Sequence, residues 1–212
     1  FQTPSIHLKQ LLEAHKLIQT IPDTHWRNLK SLELENIIAS ITGLYLEASS
    51  KDPLANPGSR VQVNIEALNR SDEQITLQSV SIGNAIADQK NTVLAENEKI
   101  NLNIDLNIPE NTEFTSPYWL ENKGTLGMYT VENPELIGKP ETPSAFSATF
   151  NVAFNGYQIT FVKPVIHRYS KPDKGELYQP FDILPEATAS FKDKVMIFAD
   201  GTSKKIPISA MA

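Results

Sequence analysis

The chain of 212 residues carries 19 Lys and Arg against 25 Asp and Glu, a formal net charge of -6, with no basic run that would neutralise a row of phosphates, so nucleic acid is not an expected partner. It contains no Cys, which removes disulfides, thiolate nucleophiles and Cys-based zinc sites. No stretch approaches the roughly 18 apolar residues of a membrane-spanning helix, and at this length one large or two small domains must be held by packing alone.

Thr3-Pro4 supplies a helix start, and Leu8, Leu11, Leu12, His15 and Ile18 recur at helical spacing, predicting a helix over residues 4–19. After the break at Ile21-Pro22-Asp23, a second stripe runs through Leu34, Ile37, Ile38, Ile41, Leu44, Tyr45 and Ala48. From Pro57-Gly58 the period becomes two. Val61, Val63, Ile65 and Ala67 alternate with polar residues, Asn69-Arg70-Ser71-Asp72 reads as a turn, and Ile75 and Leu77 resume, predicting two antiparallel strands.

Ile100, Leu102, Ile104, Leu106 and Ile108 alternate with Asn101, Asn103, Asp105 and Asn107, a strand with one dry and one wet face. A segment rich in Pro and Gly follows over 114–144, a long loop of the kind that is either functional or mobile. The runs Phe146 to Phe154 and Tyr157 to Phe161 flank Asn155-Gly156, the strongest short signal for a hairpin. Phe181 to Ala189 reads as a weaker strand interrupted by Pro, and Val195 to Ile208 as a second hairpin around Asp200-Gly201.

Together these elements predict a mainly β chain, an antiparallel immunoglobulin-like β-sandwich preceded by two N-terminal α-helices. Residues 1–50 form a helical linker segment and 57–184 the sandwich with its long loop. Residues 185–212 are terminal strands, read as the start of a further sandwich. The first residue is Phe1 rather than Met, and no signal-peptide pattern follows, so a fragment of something longer is expected.

Chemistry is harder to place. His7, His15, His25 and His167 form no H-E-x-x-H or H-x-H arrangement, and His7 and His15 lie roughly 12 Å apart along one helix, too far to share a metal. They read as surface or helix-packing side chains. No G-x-S-x-G elbow or phosphate loop occurs, and Gly58-Ser59 is a turn. Glu113, Glu121, Asp173 and Glu176 fall in or near loops, where a glycosidase-like pair would need a separation that spacing does not show, and the plainer reading is solvated loop charge.

The most suggestive binding feature is Tyr118-Trp119, since amphipathic rings beside a loop are what sugar-binding sandwiches stack against; capping of the core is the plain alternative. Tyr169 and Tyr178, flanking a polar turn that contains Glu176, are candidates to line the same glycan or interdomain contact. No catalytic, cofactor-binding or metal residue is assigned.

The segment Thr42-Gly43-Leu44-Tyr45-Leu46-Glu47-Ala48, then Pro57-Gly58, Asn69-Arg70-Ser71 and Pro117-Tyr118-Trp119-Leu120 occur in an order that resembles the region downstream of the catalytic domain in large bacterial PIG-L/LmbE-like proteins. Gly138-Lys139-Pro140-Glu141, Lys163-Pro164-Val165-Ile166-His167-Arg168-Tyr169 and Asp173-Lys174-Gly175-Glu176-Leu177-Tyr178-Gln179-Pro180 extend the resemblance, which covers roughly residues 35–190 as short, degenerate motifs. That family comprises zinc-dependent deacetylases of N-acetylglucosamine-type sugars. Its Ala-His-Pro-Asp-Asp signature is absent, because Ala14-His15 is followed by Lys16-Leu17. The resemblance therefore implies an accessory region, with no cofactor in this chain and zinc only in a catalytic domain outside it. The implied partners are that upstream domain of the same polypeptide and a glycan, in a periplasmic or extracellular setting. A freestanding carbohydrate-binding module and a protein-interaction sandwich are the alternatives.

Overall fold

The computed structural model describes residues 2–86, 91–193, 195–199, 201–203 and 205–211. A 3-10 turn, Pro4–His7, runs into helix α1, Leu8–Ile18. Helix α2, Thr24–Thr42, is capped by Asp23, whose side chain accepts a hydrogen bond from the Trp26 amide at 3.1 Å. It stops at Gly43, which takes a left-handed φ of +58° while the Gly43 and Leu44 amides bond back to the Ser40 and Ala39 carbonyls. A Cβ at Gly43 would sit 2.8 Å from the Arg70 Cβ, so both conformation and space require glycine.

This stop corrects the expectation that the second helical stripe continues through Leu44, Tyr45 and Ala48. Tyr45–Ser50 is strand β1, and residues 45–50 belong to the sheet rather than to the helical segment. Leu8, Leu12, Leu34 and Ile38 bury their side chains in the same core as the strands.

The remaining strands are β2 (Leu54–Ala55), β3 (Arg60–Leu68), β4 (Ile75–Ile82), β5 (Ala85–Ile86), β6 (Thr92–Val93), β7 (Ile100–Asn107) and β8 (Ser147–Phe154). After them come β9 (Tyr157–Lys171), β10 (Gly175–Pro180), β11 (Asp182–Ile183), β12 (Thr188–Phe191) and β13 (Ile208–Met211). The main sheet runs β5-β4-β8-β9-β1-β3-β7, with β10 added on β9 and β6 on β4. Its two ends, β5 and β7, touch, so the sheet curls nearly into a barrel around Ile65, Leu77, Phe150, Phe154 and Val165.

The chain is thus mainly β with two N-terminal helices, but the sheet is mixed. β1 runs parallel to β9, pairing Ala48 with Val165, Ser49 with Ile166 and Ser50 with His167. The two strands are linked by a crossover of more than a hundred residues, so no hairpin forces them antiparallel.

β3 and β4 are both present, yet they do not form the expected pair. β3 pairs with β1 and β7, and β4 with β8. The cause lies at Asn69. Buried at the corner, it donates from Nδ2 to the Glu73 and Leu94 carbonyls, both at 3.1 Å, and accepts the Ser71 amide at 2.9 Å and hydroxyl at 2.8 Å on Oδ1. With its donors and acceptor engaged in redirecting the backbone, the chain crosses to the other side of the barrel instead of folding back.

Two expectations hold closely. β7 buries Ile104 and Leu106 and exposes Asn101, Asn103, Asp105 and Asn107. β8 and β9 form the long hairpin, turning at Asn155 and Gly156 with φ of 48° and 84°, the positive values a type I′ turn requires.

The C-terminal hairpin is displaced. β12 pairs with β13, from Thr188 opposite Met211 to Phe191 opposite Ile208, so the strands flank the expected span instead of filling it. Of the expected turn, Asp200 lies outside the described residues. Phe181 and Ile183 are buried in the main core, and β11 pairs with β2, which ties residues 181–183 to the barrel.

Candidate functional site

The loop over 114–144 is stapled at both ends by hydroxyls. Thr115 Oγ1 accepts the Ile183 amide at 3.1 Å, and its own amide donates to the Ile183 carbonyl at 2.9 Å. Tyr118 is buried; its amide donates to Thr142 Oγ1 at 2.9 Å and its phenol to the Lys139 carbonyl at 3.0 Å. Thr142 Oγ1 in turn donates to the Ser116 carbonyl at 3.0 Å, closing the two ends of the loop on each other.

Trp119 meets Tyr118 edge-on, with ring centroids 4.9 Å apart, and stands half-buried between two cavities. The smaller, about 280 Å³, is bordered by Thr115, Thr142, Ser144, Phe181 and Asp182. Its threonine hydroxyls are the staples just described, and the Ser144 hydroxyl faces the Phe146 and Val165 carbonyls at 2.9 and 3.1 Å. The larger, about 650 Å³, lies among Tyr118, Met128, Tyr129, Val131 and Ile137, with no acid or amide side chain on its wall. Thr125 and Met128 pair backbone to backbone around Gly127, and the resulting turn holds Leu126, Met128 and Tyr129 out into solvent.

Tyr169, Glu176 and Tyr178 do not join this site. Successive residues of a strand face opposite sides, and Leu177, not Tyr178, pairs with Tyr169. Tyr169 stacks on His167 at 5.7 Å on one face of the β9–β10 ribbon. On the other face, the Tyr178 phenol donates to Glu176 at 2.8 Å, and Glu176 faces Arg168 Nε at 3.4 Å.

Around Arg168 the fold assembles a charge cluster whose partners sequence spacing did not reveal. Glu47 on β1 and Glu66 on β3 stand opposite each other in register, each side chain only 7% exposed. Arg168 binds Glu66 with two nitrogens, at 2.7 and 3.1 Å, and Lys99 adds a contact at 3.2 Å. Glu47 Oε1 lies 3.1 Å from the same guanidinium, but the N–H points at Glu66, so Glu47 Oε1 is paired by charge without a directed hydrogen bond. Tyr45 donates its phenol to the other Glu47 oxygen.

The Arg168 hydrogen bonds hold the Glu66 carboxyl below the usual carboxylate value, and the same bonds raise the guanidinium further. Burial first, then the Glu47 carboxylate, push the Tyr45 phenol up, and the bond to Glu176 does the same for Tyr178. Each charge already has its counterpart, so the cluster acts as a lock between strands. It was invisible in sequence because its members come from four strands, β1, β3, β9 and β10, and the approach to β7.

Glu113 borders a shallow cleft with Glu110 and Glu186, while Glu121 and Asp173 are exposed. His7, His25 and His167 have separate partners: Gln10, Trp26 and the Ser50 carbonyl. Among the described residues, no group of three or more His, Asp or Glu is arranged to hold a metal ion, and no helix is long and apolar enough to cross a membrane.

No protein-family model and no curated protein matches the chain. Among solved structures, it is similar to the Pseudomonas fluorescens alkylpurine DNA glycosylase AlkC, bound to DNA containing an abasic site analog, at 11% identity and a TM-score of 0.29. That superposition covers 85% of this chain and 44% of the glycosylase chain, so the present chain spans less than half of it. A likeness this distant carries no argument about fold or function.

Proposed function

We propose that this chain is a non-catalytic accessory region that braces a neighbouring domain, with the loop over 114–144 as its contact surface. The observation that carries this reading is the contrast within the loop: its base is stapled by Tyr118, Thr115 and Thr142, while Leu126, Met128, Tyr129 and Ile137 project into solvent. Apolar side chains held out on a fixed frame gain about 1.5–3 kcal/mol each when fully covered, so such a patch favours a protein partner.

The resemblance to PIG-L/LmbE-like proteins supplies the neighbour, an upstream zinc-dependent deacetylase domain of the same polypeptide, with zinc held there and not here. The near-barrel is then an immunoglobulin-like sandwich pinched at β5 and β7. Residues 185–212 fit the start of a further sandwich, because β12 and β13 form an isolated two-stranded ribbon with Phe191, Ile208 and Met211 exposed. A periplasmic or extracellular setting accords with a glycan substrate for such a parent.

A second reading, a freestanding carbohydrate-binding module, is favoured by Trp119 and Tyr129 on the larger cavity. The polar groups around Trp119 weigh against it, since the hydroxyls there already serve backbone groups. The test is direct: incubate the chain with zinc and diacetylchitobiose and measure acetate. No release is expected, and zinc-dependent release would overturn the accessory reading. A glycan array bound by the wild type and lost in Trp119→Ala would favour the second.

A further inference from the structure

We infer that the groove between the two helices and the start of β9 binds a small, neutral, hydroxyl-bearing ligand of the sugar or polyol class. The groove has a volume of about 480 Å³, within the usual ligand-pocket range of about 300–1,000 Å³. Its floor is His15, only 5% exposed, whose Nε2 meets Glu35 Oε1 at 3.1 Å and whose Nδ1 meets the Tyr157 hydroxyl at 2.9 Å. A carboxylate only accepts, so the neutral imidazole carries its proton on Nε2, and Nδ1 accepts from the phenol.

An apolar residue in this inward position of α1 would pack against the core at no desolvation cost. Instead three elements bring polar groups together under an open groove. That is how a binding floor is built, with a few convergent polar groups fixed by one another.

The walls define the ligand. Gln19 donates to Ser31 at 2.8 Å, but the side-chain amides of Asn28 on α2 and Gln158 on β9 have no hydrogen-bond partner among the described residues. Each offers a planar pair of donors and an acceptor, the combination that matches ring hydroxyls. Leu32 adds an apolar wall for a sugar's C–H face. Glu35 accepts the His15 N–H at 3.1 Å and keeps its negative charge, while Lys16 pairs with Glu13 at 2.8 Å and lies over the Tyr157 ring. An anionic ligand would meet Glu35 and no Lys or Arg on the groove wall, which favours a neutral one over it.

The test follows the side-chain amide NMR signals of Gln19, Asn28 and Gln158, all on the groove, in the 212-residue protein during titration with glucose, N-acetylglucosamine, myo-inositol and glucuronate. Saturable shifts with at least one neutral probe are expected, with an affinity, read at Gln19, that falls roughly tenfold or more in the Asn28→Ala, Gln158→Ala double variant and is unchanged in Trp119→Ala. Both substituted side chains are exposed, so folding should survive, which circular dichroism would verify. No response to any neutral probe, a stronger response to glucuronate, or undiminished binding by the double variant would overturn the inference.

Discussion

Glu47 and Glu66 face each other across β1 and β3, both buried, and a single guanidinium from β9 reaches them both. Carboxylates directly opposed in a sheet repel, so the pair is tolerable only with Arg168 between them. The consequence is mechanical. β1 and β9 share only three paired positions, and the Arg168 cluster adds a side-chain tie from β9 to both β1 and β3.

Removing the guanidinium should therefore cost more than a surface ion pair would. Arg168→Met is expected to destabilise the protein by about 3 kcal/mol, because buried Glu47 loses its counterion and Glu66 keeps only Lys99. Replacing Glu47, Glu66 and Arg168 together with apolar residues should recover most of that loss. Urea denaturation of the two variants measures both effects.

The pH dependence has a definite sign. Glu66 is held below its ordinary value near 4.5, so its contribution is present above that value and is lost as pH falls through the lower folded one. The urea midpoint of the wild type should fall on acidification below about pH 4.5, and Glu66→Gln should show a smaller fall with a lower plateau at neutral pH.

The loop staple predicts a local effect. Tyr118→Phe keeps the ring but loses the hydrogen bond to the Lys139 carbonyl, a change of about 1 kcal/mol. Limited proteolysis between Gly124 and Gly127 should accelerate while the barrel stays intact.

Two glycines in left-handed conformations should respond differently to alanine. At Gly156 a Cβ meets open space, so Gly156→Ala is expected to cost only about 1 kcal/mol of backbone strain. At Gly43 the Arg70 contact adds to the same strain, and Gly43→Ala should be clearly the more destabilising by urea midpoint.

These contrasts also mark how far the amino-acid order was legible. Alternation exposed the faces of β7, and Asn155-Gly156 announced its hairpin, because both are local properties of the chain. Alternation does not name a partner, so the separation of β3 from β4 was hidden until the buried Asn69 corner was seen. The helical stripe ran past Gly43 because Leu44, Tyr45 and Ala48 fit a helix period by coincidence. Tyr118 and Trp119 were found as neighbours in sequence; Glu47, Glu66 and Arg168 were not, since only the topology brings them together.

The bracing role is tested most directly by hydrogen–deuterium exchange over residues 124–131. The comparison sets the 212-residue chain against a longer polypeptide that carries a PIG-L/LmbE-like catalytic domain ahead of it. Slower exchange at Leu126, Met128 and Tyr129 in the longer polypeptide is predicted. Equal exchange in both would contradict the bracing role.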